Sequence, residues 1–158
     1  MAQRAGVPAS KVRDVFIWGN HANTMYPDPR VGTVDGQSAT ELFDNDWLQG
    51  SFLDTVSTRG KAIIMARGAS SAASAASAAT DHMRDWWQGS EGRIVSIALP
   101  SEGWYGVPEG IVFSFPCICE NGEIRVVEDL PIDDFAQMKI DENVTALLEE
   151  REAVSDLL

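Results

Sequence analysis

The chain has 158 residues, 44% of them hydrophobic, which is enough for one domain with a real core. Its 24 acidic side chains against 12 basic ones leave a formal net charge of −12 at pH 7. That balance argues against a nucleic-acid backbone or an anionic membrane surface as partner, because both need clustered Lys and Arg. No apolar run approaches the roughly 18 residues that span a bilayer.

Residues 2–6 read as the last turn of a helix closed by a C-terminal glycine, with no helix before it, as in a chain cut from something longer. Residues 1–14 lack the apolar core of a signal peptide. A connector, residues 8–12, leads into Val15-Phe16-Ile17-Trp18, an apolar run that reads as a buried strand. Gly19 lets the backbone turn sharply behind it, and His21 then stands at the strand's mouth among small polar residues. An imidazole there suits acid/base work, since its ordinary pKa lies near neutral pH. A solvated, idle loop histidine is the competing reading.

From Tyr26 to Gly36, residues Pro27, Asp28, Pro29 and Gly32 predict an irregular loop, with a short hairpin turning on Asp35-Gly36. Asp44-Asn45-Asp46-Trp47 opens a helix with Asp or Asn as its cap. Trp47, Leu48, Phe52, Val56, Ile63 and Ile64 recur near helical spacing as far as Arg67, with a kink or a break expected at Gly60. The Ala/Ser tract 68–79 resembles low complexity, yet alanine is the best helix former. A break at Gly68, a cap from Ser70 or Ser71, and a helix to Gln88 anchored by Trp86 and Trp87 follow from that.

Three strands come next, over residues 94–99, 111–119 and 123–127, the last two joined by a hairpin at Glu120-Asn121-Gly122. Pro116 implies an edge strand or a bulge. Cys117 and Cys119 alternate onto one face, read as buried small side chains in a reducing, cytoplasmic setting. Asp133-Asp134 caps a closing helix whose apolar stripe is Ile140, Val144, Leu147, Leu148, Val154 and Leu158. Within it, Asn143-Val144-Thr145 matches a glycosylation sequon by chance. The whole reads as one α+β unit: an antiparallel sheet packed with helices and closed by a long C-terminal helix.

No G-x-G-x-x-G or G-x-x-x-x-G-K-S/T stretch is present, so the chain carries no phosphate cradle of its own. A hydrolase pairing Ser70 or Ser71 with His21 lacks a nucleophile elbow. A metal set of His21, Asp28 and His82 has no recognised spacing, and no metal is expected.

Trp18-Gly19-Asn20-His21 with Thr24-Met25-Tyr26-Pro27-Asp28 closely resembles the active-site histidine segment of NAD-dependent malate dehydrogenases. The resemblance continues in order through Thr58-Arg59-Gly60-Lys61, Arg67-Gly68-Ala69-Ser70-Ser71, Asp81-His82-Met83-Arg84-Asp85-Trp86, Tyr105-Gly106-Val107-Pro108-Glu109-Gly110 and Phe113-Ser114-Phe115-Pro116. It covers essentially the whole chain. It implies that His21 exchanges the hydroxyl proton of malate as a hydride passes to NAD, that Ser70 borders the substrate, and that Ser71 lies beside the cofactor. It implies a homodimer in the full-length enzyme. It also implies that residues 1–158 are a single C-terminal, substrate-side domain, with the Rossmann domain that holds NAD, the mobile-loop arginines and a D-x-x-R segment lying before Met1. Ala22 departs from the family, where serine is common. Such a chain is expected to be inactive alone. A non-catalytic remnant serving folding or association, or part of a dehydrogenase for another 2-hydroxy acid such as lactate, are the alternatives.

Overall fold

A computed structural model describes residues 1–157. Helix α1 (Ala2–Ala5) is a single turn closed by Gly6 at φ 70°, as the sequence predicts. A 3-10 turn (Ala9–Lys11) leads to the short strand β1 (Val12–Arg13). Strand β2 (Phe16–Trp18) follows and pairs antiparallel with β3 (Tyr26–Asp28), Trp18 standing opposite Tyr26. The stretch expected to be loop from Tyr26 onward therefore begins as a strand. Ile17 explains why Pro27 is tolerated opposite it. The Ile17 N–H donates to Ser96 Oγ at 2.8 Å, and its C=O accepts from Ser114 Oγ at 2.7 Å. Those groups face away from β3, so Pro27 forfeits no ladder bond.

Strands β4 (Thr33–Val34) and β5 (Gln37–Ser38) form the expected hairpin. Asp35 and Gly36 both take positive φ, 49° and 83°, as a two-residue turn of this hand requires. β1 joins β4 to complete a small three-stranded sheet.

Helix α2 (Ala39–Leu42) is one turn, and α3 (Asn45–Trp47) starts where Asp44 accepts the Trp47 N–H at 2.7 Å. A widened π-type turn (Leu48–Phe52) passes into α4 (Leu53–Ser57). The break expected at Gly60 falls at Thr58 instead (φ −97°, ψ 2°). There the Thr58 hydroxyl and amide both bond the Asp54 carbonyl, at 2.6 and 3.1 Å, which bends the backbone out of the helix. Helix α5 (Arg59–Arg67) then runs to Gly68 at φ 71°.

Helix α6 (Ala73–Gln88) ends where predicted, but two expectations about it are corrected. Ala72 occupies the cap position, and no side chain caps the helix, so neither Ser70 nor Ser71 does so. Trp86 and Trp87 do not anchor its far end, being 40% and 79% exposed. An ion pair does so instead: Asp85 accepts from Arg93 Nη2 at 2.6 Å.

Strands β6 (Val95–Pro100), β7 (Val112–Glu120) and β8 (Glu123–Val126) form an antiparallel sheet in the order β6-β7-β8. The β7–β8 hairpin turns on Asn121 and Gly122, at φ 54° and 82°. Pro116 therefore sits in the central strand, not on an edge. The register from Glu120↔Glu123 puts Pro116 opposite Val127, just past the end of β8. Val127 N donates to Pro116 O at 2.9 Å, and the return bond is the one proline cannot make. The Val127 carbonyl accepts the Tyr105 hydroxyl instead, and Tyr105 Oη in turn accepts from Leu130 N at 3.2 Å.

Helix α7 (Asp134–Ala153) begins where Asp133 accepts the Ala136 N–H at 2.8 Å. Ile140 is buried, and Val144, Leu147 and Leu148 pack on the core beside it. Val154 lies past the helix and is 43% exposed, and Leu158 falls outside the described residues. Among the described residues no helix is long and apolar enough to cross a membrane.

The architecture is the expected α+β unit. Its core centres on Trp18, which meets Phe16, Tyr105 and Phe115 edge to face. Cys117 and Cys119 are fully buried and unbonded to each other. Burial, with the neighbouring Cys119, pushes the Cys117 thiol from 9.0 up to about 12.

Two expected outcomes follow. Tyr105→Phe leaves a carbonyl and an amide without their partner and costs about 1–3 kcal/mol in a urea melt. Raising the pH from about 9 to 12 lowers stability, because the unfolded chain loses the Cys117 proton while the folded one keeps it. Cys117→Ala flattens that slope in melts across the same range; an unchanged slope contradicts the assignment.

Candidate active site

Strands β2 and β3 are joined by the segment that carries His21. Gly19, at φ 91°, closes β2 by exchanging backbone hydrogen bonds with Ser114, 3.1 and 2.9 Å long, so the segment leaves directly from the edge of β7. No other residue fits there. A Cβ on Gly19 would lie 2.0 Å from Asn143 Oδ1, in addition to the strain of its φ.

Asn20 shapes the turn from within. Its Oδ1 accepts from Ala22 N at 3.1 Å, and its Nδ2 donates to Thr24 Oγ1 at 2.8 Å. Met25 N closes onto Ala22 O at 3.1 Å. The backbone at Ala22 is thus held by Asn20 without help from a side chain at position 22. From outside, Asn143 on α7 accepts from Asn20 N at 3.1 Å and donates to Thr24 O at 2.5 Å and to Lys139 O at 2.9 Å. The result is a rigid frame from which His21, Ala22 and Asn23 project into solvent. Among the described residues the His21 imidazole has no hydrogen-bond partner. Both ring nitrogens are therefore unspent in hydrogen bonding within the domain.

Ser70 and Ser71 lie in the break between α5 and α6, Ser70 exposed and Ser71 half-buried. Their hydroxyls bond no protein group among the described residues, and no hydrogen bond links either to His21. The hydroxyls remain available to a ligand. The α5–α6 segment also carries exposed Ile64, Met65, Met83, Trp86 and Trp87, an apolar surface of the kind that another protein body covers.

Asp28, Arg30 and His82 play other parts. Asp28 is completely buried and accepts from Trp18 Nε1 at 2.9 Å, from Arg30 N and Nε at 3.0 Å, and from Arg30 Nη2 at 2.7 Å. Its lone pairs are spent on structure, and His82 is exposed on α6, so the set His21, Asp28 and His82 is not assembled. Among the described residues no three His, Cys, Asp or Glu side chains converge on a metal position. Arg30 is likewise committed, to Asp28 and, through Nη1 at 2.7 Å, to Pro131 O. The site on this chain is open. A groove of about 690 Å³ follows α7 past Thr24, Asp141 and Thr145 and does not enclose His21.

Sequence reasoning missed Asn143, taking it for part of a chance sequon. The available signal was an asparagine three residues after Ile140 on the apolar stripe of α7, where a buried amide needs partners.

Residues 1–157 match the family model described as lactate/malate dehydrogenase, alpha/beta C-terminal domain. The malate dehydrogenase from Naegleria fowleri ATCC 30863 is 43% identical with a TM-score of 0.91, the match covering 99% of this chain and 48% of that one. The Trichomonas vaginalis lactate dehydrogenase, solved with NADH and oxamate, is 34% identical with a TM-score of 0.91, covering 98% of this chain and 49% of that one. The malate dehydrogenase from Aeropyrum pernix is 26% identical with a TM-score of 0.74, over 96% and 50% of the two chains. The chain thus spans about half the length of the solved structures it matches. It belongs to the lactate/malate dehydrogenase family and has the fold of that family's C-terminal α/β domain.

Proposed function

We propose that residues 1–158 are the substrate-side domain of an NAD-dependent malate dehydrogenase, acting in the cytoplasm together with a dinucleotide-binding half. The observation that carries this is the free, exposed imidazole of His21, held on a frame that fixes its backbone while leaving its nitrogens unspent. When bound, NAD supplies the carbon that accepts or returns the hydride. Neutral His21 takes the C2 hydroxyl proton of malate, so that charge does not build on oxygen as the carbonyl forms. In the reverse direction the imidazolium polarises the keto oxygen of oxaloacetate and hands the proton back. Ser70 offers its hydroxyl to the substrate and Ser71 to the nicotinamide side.

The chain's own residues fit only the rim of a dinucleotide site. The two free hydroxyls suit polar edges, whereas no glycine-lined phosphate cradle occurs in the sequence. Two substrate carboxylates also need cations, and Arg30, beyond the end of the His21 turn, is already spent. Both considerations support a site completed by another protein body, for which the exposed apolar residues of α5 and α6 offer a seat.

Malate is favoured over lactate by the 43% identity to the Naegleria enzyme, and the 34% identity to a lactate dehydrogenase keeps lactate as the second reading. The test joins this chain to the dinucleotide-binding half of the Naegleria enzyme, with the chain alone as control. NADH oxidation driven by oxaloacetate is expected in the fusion and absent from the chain alone. His21→Ala should lower kcat by roughly 10²–10⁴-fold. Full turnover in His21→Ala overturns the reading.

A further inference from the structure

We infer that Asn143 is a positioning residue for His21, a single carboxamide that ties both ends of the turn carrying it to helix α7. The inference rests on the proton-transfer role proposed for His21, and it concerns what sets that group in place.

Asn143 sits with Ala136 and Ile140 on the buried side of α7 and is itself completely buried. Its Oδ1 accepts the Asn20 N–H, immediately before His21. Its Nδ2 donates to the Thr24 carbonyl, at the other end of the turn, and to Lys139 O in its own helix. Two carbonyls on one side and one N–H on the other allow a single placement of the amide oxygen and nitrogen. The Lys139 bond fixes the side chain relative to α7, so the frame is referred to a 20-residue helix instead of to a loop. Gly19 closes the remaining space, since even a methyl group there would overlap the carboxamide. From these fixed ends the restraint passes inward: the Asn20 side chain holds Ala22 N and Thr24 Oγ1, and His21 lies between two held residues.

No other side chain meets these demands. Aspartate offers the acceptor to Asn20 but sets an oxygen against two carbonyl oxygens. Leucine fills the space and leaves one donor and one acceptor of the turn unpaired. Serine is too short to bridge Asn20 and Thr24 together.

The test compares Asn143→Asp and Asn143→Leu with the unaltered chain. The chain's two histidines make its imidazole spectrum simple, with His82 on α6 as an internal reference. Amide exchange at Asn20 is expected to quicken by about tenfold or more as its acceptor is lost or displaced. The His21 resonances should shift or broaden while those of His82 stay in place. In the fusion enzyme, kcat should fall by up to roughly a hundredfold with a smaller change in KM, as misplacement of a reacting group predicts. If Asn143→Leu does not fold, Asn143→Ser gives the same readings. Unchanged Asn20 exchange and His21 resonances in a folded variant, or full kcat in one whose stability has fallen, overturns the inference. His21→Ala separates this from the proposed chemistry. Its retention of turnover refutes the proton-transfer role, whereas loss of turnover there with full kcat in the Asn143 variants refutes the positioning role alone.

Discussion

The buried carboxylate of Asp28 is the constraint on which the rest of the structure depends. It takes the indole N–H of Trp18, the core's central side chain, and thereby couples β2 to β3 through side chains as well as through backbone. Arg30 satisfies its charge and reaches on to Pro131 O and, at 3.8 Å, to Asp133. The residue that caps α7 is thus tied to the strand pair that carries the His21 turn. Removing one partner of so buried a pair strands a charge and costs about 3–5 kcal/mol. The node holds α7 against β3, and that contact lets Asn143 reach the turn at all.

The division of labour between polar groups follows from this. Asp28, Arg30, Asn20 and Asn143 spend their hydrogen bonds inside the domain, while His21, Ser70 and Ser71 keep theirs free. His21 is thus firmly mounted yet unenclosed. The apolar residues left exposed along α5 and α6 lie in the same stretch of chain as the two serines.

Much of this was legible in the sequence because local rules decide it. Gly6 and Gly68 end helices, Asp44 and Asp133 cap them, and Asp35-Gly36 and Asn121-Gly122 turn hairpins, each through its own backbone chemistry. The errors lie where a distant group supplied what the local rule said was missing. Pro116 implies an edge strand or a bulge because proline cannot donate, but Tyr105, eleven residues earlier, takes over the orphaned carbonyl. Pro27 lies in a strand because Ser96 and Ser114 draw the backbone of Ile17 to the other side. Serines 70 and 71 looked like caps because the rule names their type, yet the helix begins one residue later. Asn143 was invisible for the same reason as Tyr105. Its partners lie 119 and 123 residues away in sequence, and nothing in a helix period reports them.

The central claim is that the free imidazole of His21 is the group through which the assembled enzyme moves its proton. Carbethoxylation of histidine, followed residue by residue by mass spectrometry, tests it directly, because His21 and His82 are both exposed and differ in proposed role. Loss of oxaloacetate reduction should track modification of His21 one for one and ignore modification of His82. Full turnover in enzyme whose His21 is completely modified would contradict the account.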